Sequence, residues 1–562
     1  MLLRMLQGAR GRATLLVIGL LLAACQTTPS PSASAGPSVA PFVGTTYPAD
    51  APADCAYGGE IAQVKAVDRL TVEFSLCRSD PAFLSKIARA NNEIQDSDWL
   101  AKYGGNQSIQ AKANGTGPYM VTDGVPGTGA QISLGRFDGY WGTKAKTATV
   151  VVQWNADPAA RTDAVQTGTT DGADNPTFAP IATIQPAQRL PREELSTLYI
   201  GLSNTYQPFD SQKIRQALAM GIDRQQIVAD LMPPGAGVAD FFTPCAIEFG
   251  CVGDRWYDHD VVAAKALLAK PPFPGALFTH IYYSDTAACG LPDPSLVAQA
   301  LKTQLTNDLG FNADLQPLPA ATFMKNMAAG LLDGLYVMEW CPDTADPSGF
   351  LDGPFNTRAN PQFGTLDPSI TAALTAGDRT ADRTARQAAY QAASNAIRDQ
   401  VPMIPIAHGT SATAWKADVT GAVSSPIADE QFAAIDPGGR PQLTWMQAAS
   451  PSTFYCANAT DADSQRVCQN VFESLYGFKP GTAQVTPTLA ESCAPNQQLT
   501  VWTCHLRNGV TFHDGASLDA NDVVASFAAQ WDYKQPTHAG RTAPFAEWLS
   551  EFGPFLNAPT AP

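Results

Sequence analysis

Histidine is scarce in this chain, at six of 562 residues, and no two of its eleven cysteines stand in a C-x-x-C spacing. Those shortages leave metal binding without its usual ligand sets. Positive charge is also short. Lys and Arg number 36 against 52 Asp and Glu, a formal charge of −16, which argues against nucleic acid and against broad adhesion to anionic lipid. No G-x-S-x-G, H-E-x-x-H or G-x-x-x-x-G-K-[ST] occurs. The dispersed Ser, His and Asp residues form no catalytic constellation, so an exported hydrolase stands only as the rival reading. Met120 sits where G-x-G-x-x-G needs its last glycine, which removes a dinucleotide loop and leaves no cofactor or metal site expected. Beyond residue 25 no apolar run reaches the length that spans a bilayer.

What is present begins with residues 1–24, where Arg4, Arg10 and Arg12 precede an apolar run too short to span. The run ends Leu22-Ala23-Ala24-Cys25, which resembles a bacterial lipobox and implies cleavage before Cys25 and a lipid on its sulfur. The expected location is therefore extracytoplasmic, on the outer face of the cell membrane. Residues 25–55 are rich in Ser, Thr, Pro and Ala and read as a disordered tether. Setting Cys25 aside leaves ten cysteines, an even count that in an exported chain reads as disulfides. The local pair Cys245–Cys251, the pair Cys456–Cys468, and Cys493–Cys504 flanking a hairpin are expected first. Cys289–Cys341, each after a strand, and Cys55–Cys77, the remainder, complete the set.

The remaining length holds two or more lobes, with 45% hydrophobic content ample for their cores. Residues 499–527, LTVWTCHLRNGVTFHDGASLDANDVVASF, alternate as a strand, turn twice at Gly509 and Gly515, and enter a helix capped by Asp519 with Asp522 as its box partner. A hairpin spans residues 61–76, and Asp80-Pro81 opens a helix with Phe83, Leu84 and Ile87. Gly115-Thr116-Gly117-Pro118-Tyr119 and Asp138-Gly139-Tyr140-Trp141-Gly142 follow, then a buried strand over residues 147–154. Residues 210–228 form two helices, the first capped by Asp210. From Thr243 strands and helices alternate, which predicts a parallel sheet covered on both faces. A long helix over residues 378–400 and a strand over 403–408 end that block, and a helix spans residues 464–476.

Together these segments closely resemble family 5 solute-binding proteins, the peptide/nickel-type receptors of ABC importers. The resemblance covers nearly everything after Ala56 and implies an α/β fold of two hinge-connected lobes, periplasmic-binding-protein-like, class II, cluster C type. Residues 56–242 and 411–562 would form lobe I and residues 243–410 lobe II. In the family the 499–527 unit lies near the N-terminus, whereas here it comes almost last. Each family segment occurs once, so the order implies a circular permutant joined at Gly438-Gly439.

The resemblance implies a monomeric receptor, not an enzyme, that captures a ligand between the lobes, most readily an oligopeptide. It would deliver that ligand to an ABC permease; a sensor or chaperone on the same fold is the other alternative. Trp340, Cys341 and Asp343 follow a buried strand, at the edge where open α/β sheets bind ligands. In peptide-binding members the aspartate matching Asp343 receives the ligand's α-ammonium; a turn cap is the structural alternative. Tyr140 and Trp141 could flank the ligand or belong to the core. His408, ending a strand near the hinge, is expected to be held by hydrogen bonds rather than to ligate metal.

Overall fold

The hairpin expected over residues 61–76 is built from strands Ile61–Asp68 and Thr71–Leu76, and its next neighbour comes from the far end of the chain. Val501–Leu506 pairs antiparallel with Thr71–Leu76 on one side and with Ala490–Pro495 on the other. Its alternation buries Trp502, Cys504 and Leu506, as a strand with one covered face requires. Helix Ala520–Trp531 provides cover, with Phe527 edge-on to Phe74 at 4.9 Å. Asp519 and Asp522 form the expected capping box. This computed structural model describes residues 41–175, 184–233, 235–269, 277–286, 293–342, 344–427, 430–538 and 545–559.

A ten-stranded sheet forms the rest of the frame. From one edge it runs Phe311–Leu318, Leu277–Ser284, Leu335–Trp340, Arg189–Leu202, Met403–Trp415, Gly172–Asn175, Gln442–Gln447, Thr149–Trp154, Gln131–Arg136 and Tyr119–Asp123. Leu277–Ser284 is parallel to both of its neighbours, as strand–helix alternation predicts. Arg189–Leu202 and Met403–Trp415 are long enough to serve both ends of the sheet. They pair antiparallel through irregularities at Pro405/Ala407 and His408/Thr410. Gln442–Gln447 lies between Thr149–Trp154 and Gly172–Asn175, parallel to both. Residues from the last quarter of the chain are therefore interior to the first lobe's sheet.

Two large hydrophobic cores lie along this sheet, beside a small cluster of Val165, Ala173, Ile184 and Ala414. One gathers Leu443, Trp445, Val467 and Val471 around Val150 and Val152. The other runs from Leu198 through Met232 and on to Ala407. Helices Gln212–Gly221 and Arg224–Leu231 thus pack with residues 281–407 rather than with residues 56–197, which places the second core's start well before residue 243.

Other differences have local causes. The long helix expected over 378–400 is Arg383–Gln400, starting later because Asp382 caps it through Ala385 N, and a separate helix, Pro368–Gly377, precedes it. The 210–222 helix begins after Ser211 with no side-chain cap. The helix expected over 464–476 is Ala462–Val471, and the chain then extends into Tyr476–Phe478. The 403–408 strand continues to Trp415. Ordered chain starts before residue 56. Thr46–Tyr47 adds an edge strand to Ile61–Asp68, Tyr47 packs on Trp531 and donates to Asp532, and Asn521 Nδ2 donates to Val43 O at 3.1 Å.

Disulfides join Cys55 to Cys77, Cys245 to Cys251, Cys456 to Cys468 and Cys493 to Cys504. Cys341 is disulfide-bonded; Cys289 and Cys25 lie outside the described residues. Among the described residues no helix is long and apolar enough to cross a membrane.

Candidate functional site

Strand Leu335–Trp340 ends where the two lobes meet, and the segment after it is held from several directions. Trp340 is half-buried, with its indole Nε1 donating to Gly349 O at 3.1 Å. Asp346 caps helix Pro347–Phe355 through Ser348 N and receives both terminal nitrogens of Arg386, at 2.9 and 2.7 Å. A bidentate pair of this kind fixes orientation as well as position. Two hydroxyls from the first lobe complete the seam: Ser85 Oγ donates to Ala345 O at 3.1 Å, and Ser79 Oγ to Asp378 O at 2.7 Å. Cys341 lies in the same segment, and Asp343 is outside the described residues.

The crossing strands carry polar side chains on their buried middle. His408 Nδ1 lies 3.1 Å from Thr197 Oγ1 and 3.3 Å from Ser196 O, and burial takes its pKa down to about 4. A neutral, hydrogen-bonded imidazole fits the expected structural role. Burial also raises Glu194, on the same strand as Ser196 and Thr197. Gly409 leaves room for its neighbours where the strands cross: a Cβ there would lie 2.2 Å from Ser196 Oγ and displace that hydroxyl.

Tyr140 and Trp141 are placed elsewhere. They line a cavity of about 300 Å³ with Phe472, Glu473, Tyr476 and Phe478, and no residue of 243–410 contributes to its wall. Glu473 accepts from Tyr140 Oη at 2.8 Å, Trp141 Nε1 at 2.8 Å and Thr116 Oγ1 at 2.9 Å. Burial pushes its pKa up to about 7 against those three donors. The Arg507 guanidinium stacks on Trp141 at 4.5 Å. The structure thus brings Trp340 and Cys341 together at the seam and sets Tyr140 and Trp141 apart from them. Glu473 itself gave no sequence signal: one glutamate in Val471-Phe472-Glu473-Ser474 resembles any solvent-facing helical acid.

A second group that the sequence reading missed is the ion network of Asp174, Arg192, Glu430, Asp463 and Arg466. Its members come from four separate segments, so spacing could not have found them. The one acid–sulfur cluster among the described residues, Glu93 with Cys456 and Cys468, has both sulfurs in a disulfide and offers no thiolate to a metal.

Comparison with known proteins follows the same outline. The profile of the bacterial extracellular solute-binding proteins, family 5 Middle, matches residues 28–362 and 484–550. Heme-binding protein A of Haemophilus influenzae is 24% identical over 391 residues, covering 68% of this chain and 70% of that protein. The dipeptide-binding protein of Escherichia coli is 26% identical over 383 residues, covering 66% and 71%. Among solved structures, HbpA2 from Haemophilus parasuis superposes with a TM-score of 0.63 at 25% identity, over 67% of this chain and 75% of that one.

Proposed function

This chain belongs to family 5 of the bacterial extracellular solute-binding proteins, and we propose that it is a lipid-anchored peptide receptor of an ABC importer. Proteins of the family capture a ligand and deliver it to a permease, and none of that requires covalent chemistry. Similarity to dipeptide-binding proteins supports a short peptide as the ligand. Anchoring through Cys25 and a monomeric receptor remain part of the same proposal.

The observation that carries the reading is the seam after Leu335–Trp340. There the segment that follows a sheet strand in one lobe, at Ala345, and the end of helix Pro368–Gly377, at Asp378, meet hydroxyl donors of the other. A peptide laid along that segment would pair through its backbone, and Asp343 would receive its α-ammonium. Contacts made only when the lobes are together shift the open–closed balance toward closure. Tyr140 and Trp141 would meet the ligand only if it extended into the first-lobe cavity.

Chain order is the second part of the proposal. Family segments occur here with the back part first and the front part last, and strand pairing of Val501–Leu506 with Thr71–Leu76 supports one permuted fold over a fused fragment. Near the cut, Glu60 N donates to Phe552 O at 2.8 Å and Trp531 Nε1 to Tyr57 Oη at 3.1 Å.

Native mass spectrometry of the purified protein identifies a co-purified ligand, and calorimetry with a dipeptide panel and with haem then gives its class. Asp343→Ala is expected to lower dipeptide affinity at least tenfold while leaving the unfolding midpoint unchanged. Equal affinities in wild type and variant would remove Asp343 from the site, and selective binding of haem would overturn the peptide assignment.

A further inference from the structure

Ser79 and Ser85 flank a first-lobe segment that carries Asp80, and around their two bonds to the second lobe carboxyl groups collect. Asp352 on helix Pro347–Phe355 and Asp378, capping helix Pro368–Gly377, share one amide. Asn356 Nδ2 donates to Asp352 Oδ1 at 3.0 Å and to Asp378 Oδ2 at 2.8 Å. The other oxygen of Asp378 is buried with no donor. From the first lobe, Glu60 and Asp80 are buried on the opposite side, and Glu60 Oε1 likewise has no donor.

The cations nearby are already engaged. Lys86 lies 2.8 Å from both Glu60 and Asp80, and Arg78 is 2.9 Å from Glu60. Arg386 is bidentate on Asp346 and also reaches Tyr390 Oη at 3.0 Å. Among the described residues, the carboxyl groups of Asp352 and Asp378 receive only the Asn356 amide. Two carboxylates on one amide cannot both stay ionised out of water at low cost. A proton held by the pair removes one charge and supplies a donor where buried oxygens lack one.

We propose that this seam is a proton-binding site coupled to lobe closure, so that closing takes up a proton on the Asp352–Asp378 pair and opening releases it. The proposal rests on the opening and closing advanced above. Burial and then the charge of Asp378 raise Asp352, to about 8. Burial also raises Asp378, to about 6, with Asp346 and Asp80 adding to it and Asn356 and Arg386 opposing. When the lobes part, water reaches both groups and returns them toward the ordinary aspartate value of about 4. The sign follows: a group whose closed-state pKa is the higher favours closure fully below its open-state value. That contribution is lost as pH rises through about 6 to about 8. Ligand capture would therefore strengthen in mildly acidic surroundings.

Small-angle X-ray scattering of the ligand-free full-length protein, from pH of about 5 to about 9, reads the open–closed balance without any ligand. The expected result is a radius of gyration that grows with pH across that interval. The Asp352→Asn/Asp378→Asn variant should stay compact throughout. If the double variant does not fold, Asp352→Asn alone should reduce the pH-dependent change at least twofold. A wild-type radius that is flat with pH, or a folded variant with the wild-type profile, overturns the proposal. Compaction by a dipeptide that is equal at both ends of the range would retain the receptor reading and reject the proton linkage.

Discussion

Arg466 shows what a single side chain can hold together. It is fully buried, with Nε 2.6 Å from Glu430, Nη2 2.6 Å from Asp174 and Nη1 3.0 Å from Asp463. Arg192 meets Glu430 and Asp174 from the other side. Glu430 and Asp174 belong to chain segments some 250 residues apart, and only the folded lobe makes them neighbours. Replacing Arg466 by Met would keep much of its volume and leave those acids with one cation between them. The expected cost is roughly 3–5 kcal/mol, read as a lower urea midpoint, because removing one partner strands buried charge. A change below about 1 kcal/mol would mean that the network contributes little beyond packing.

Among the elements, the five-stranded sheet is tied twice by sulfur. Cys493–Cys504 joins directly opposed residues of neighbouring strands, while Cys55–Cys77 closes a longer loop, 22 residues against 11. Cross-linking restricts the unfolded chain more when the loop is longer, by about 0.6 kcal/mol per doubling. Cys55→Ser/Cys77→Ser should therefore lose about 0.6 kcal/mol more than Cys493→Ser/Cys504→Ser in paired denaturation curves. The reverse order would place the stabilisation in the folded sheet rather than in the unfolded chain. Strand Val501–Leu506 was legible in advance because its alternation of Trp502, Cys504 and Leu506 is a local pattern. The edge strand Thr46–Tyr47 was not: two residues have no period, and what orders them is the distant pair Trp531 and Asp532.

For the whole molecule, the decisive test of chain order is to undo it. A gene encoding residues 441–557 ahead of residues 43–436 would place the proposed family order on the same set of buried surfaces, edge strand Thr46–Tyr47 included. It should fold to the same disulfides and unfold within about 1 kcal/mol of the natural order, since a core depends on what is buried rather than on where an exposed loop is cut. A product that is insoluble, or in which Cys493–Cys504 forms while Cys55–Cys77 does not, would count against the permutation. The placement of Gln442–Gln447 inside the ten-stranded sheet makes the alternative of an independent C-terminal domain difficult.

Local chemistry was readable without coordinates: strand alternation at 501–506, the Asp519–Asp522 cap, the strand–helix rhythm after Thr243, and the family likeness those segments carry. Each depends on residues within a turn or two of one another, where backbone geometry and side-chain period are set. Placement across the chain was settled only by tertiary structure. It put Tyr140 and Trp141 against Glu473 in the first lobe, away from Trp340, and it gathered Asp352, Asp378, Glu60 and Asp80 at one seam. Acids that look solvent-facing in a sequence become a partly buried cluster only when distant segments pack around them. That exclusion of water is a property of surfaces meeting, which no single segment carries.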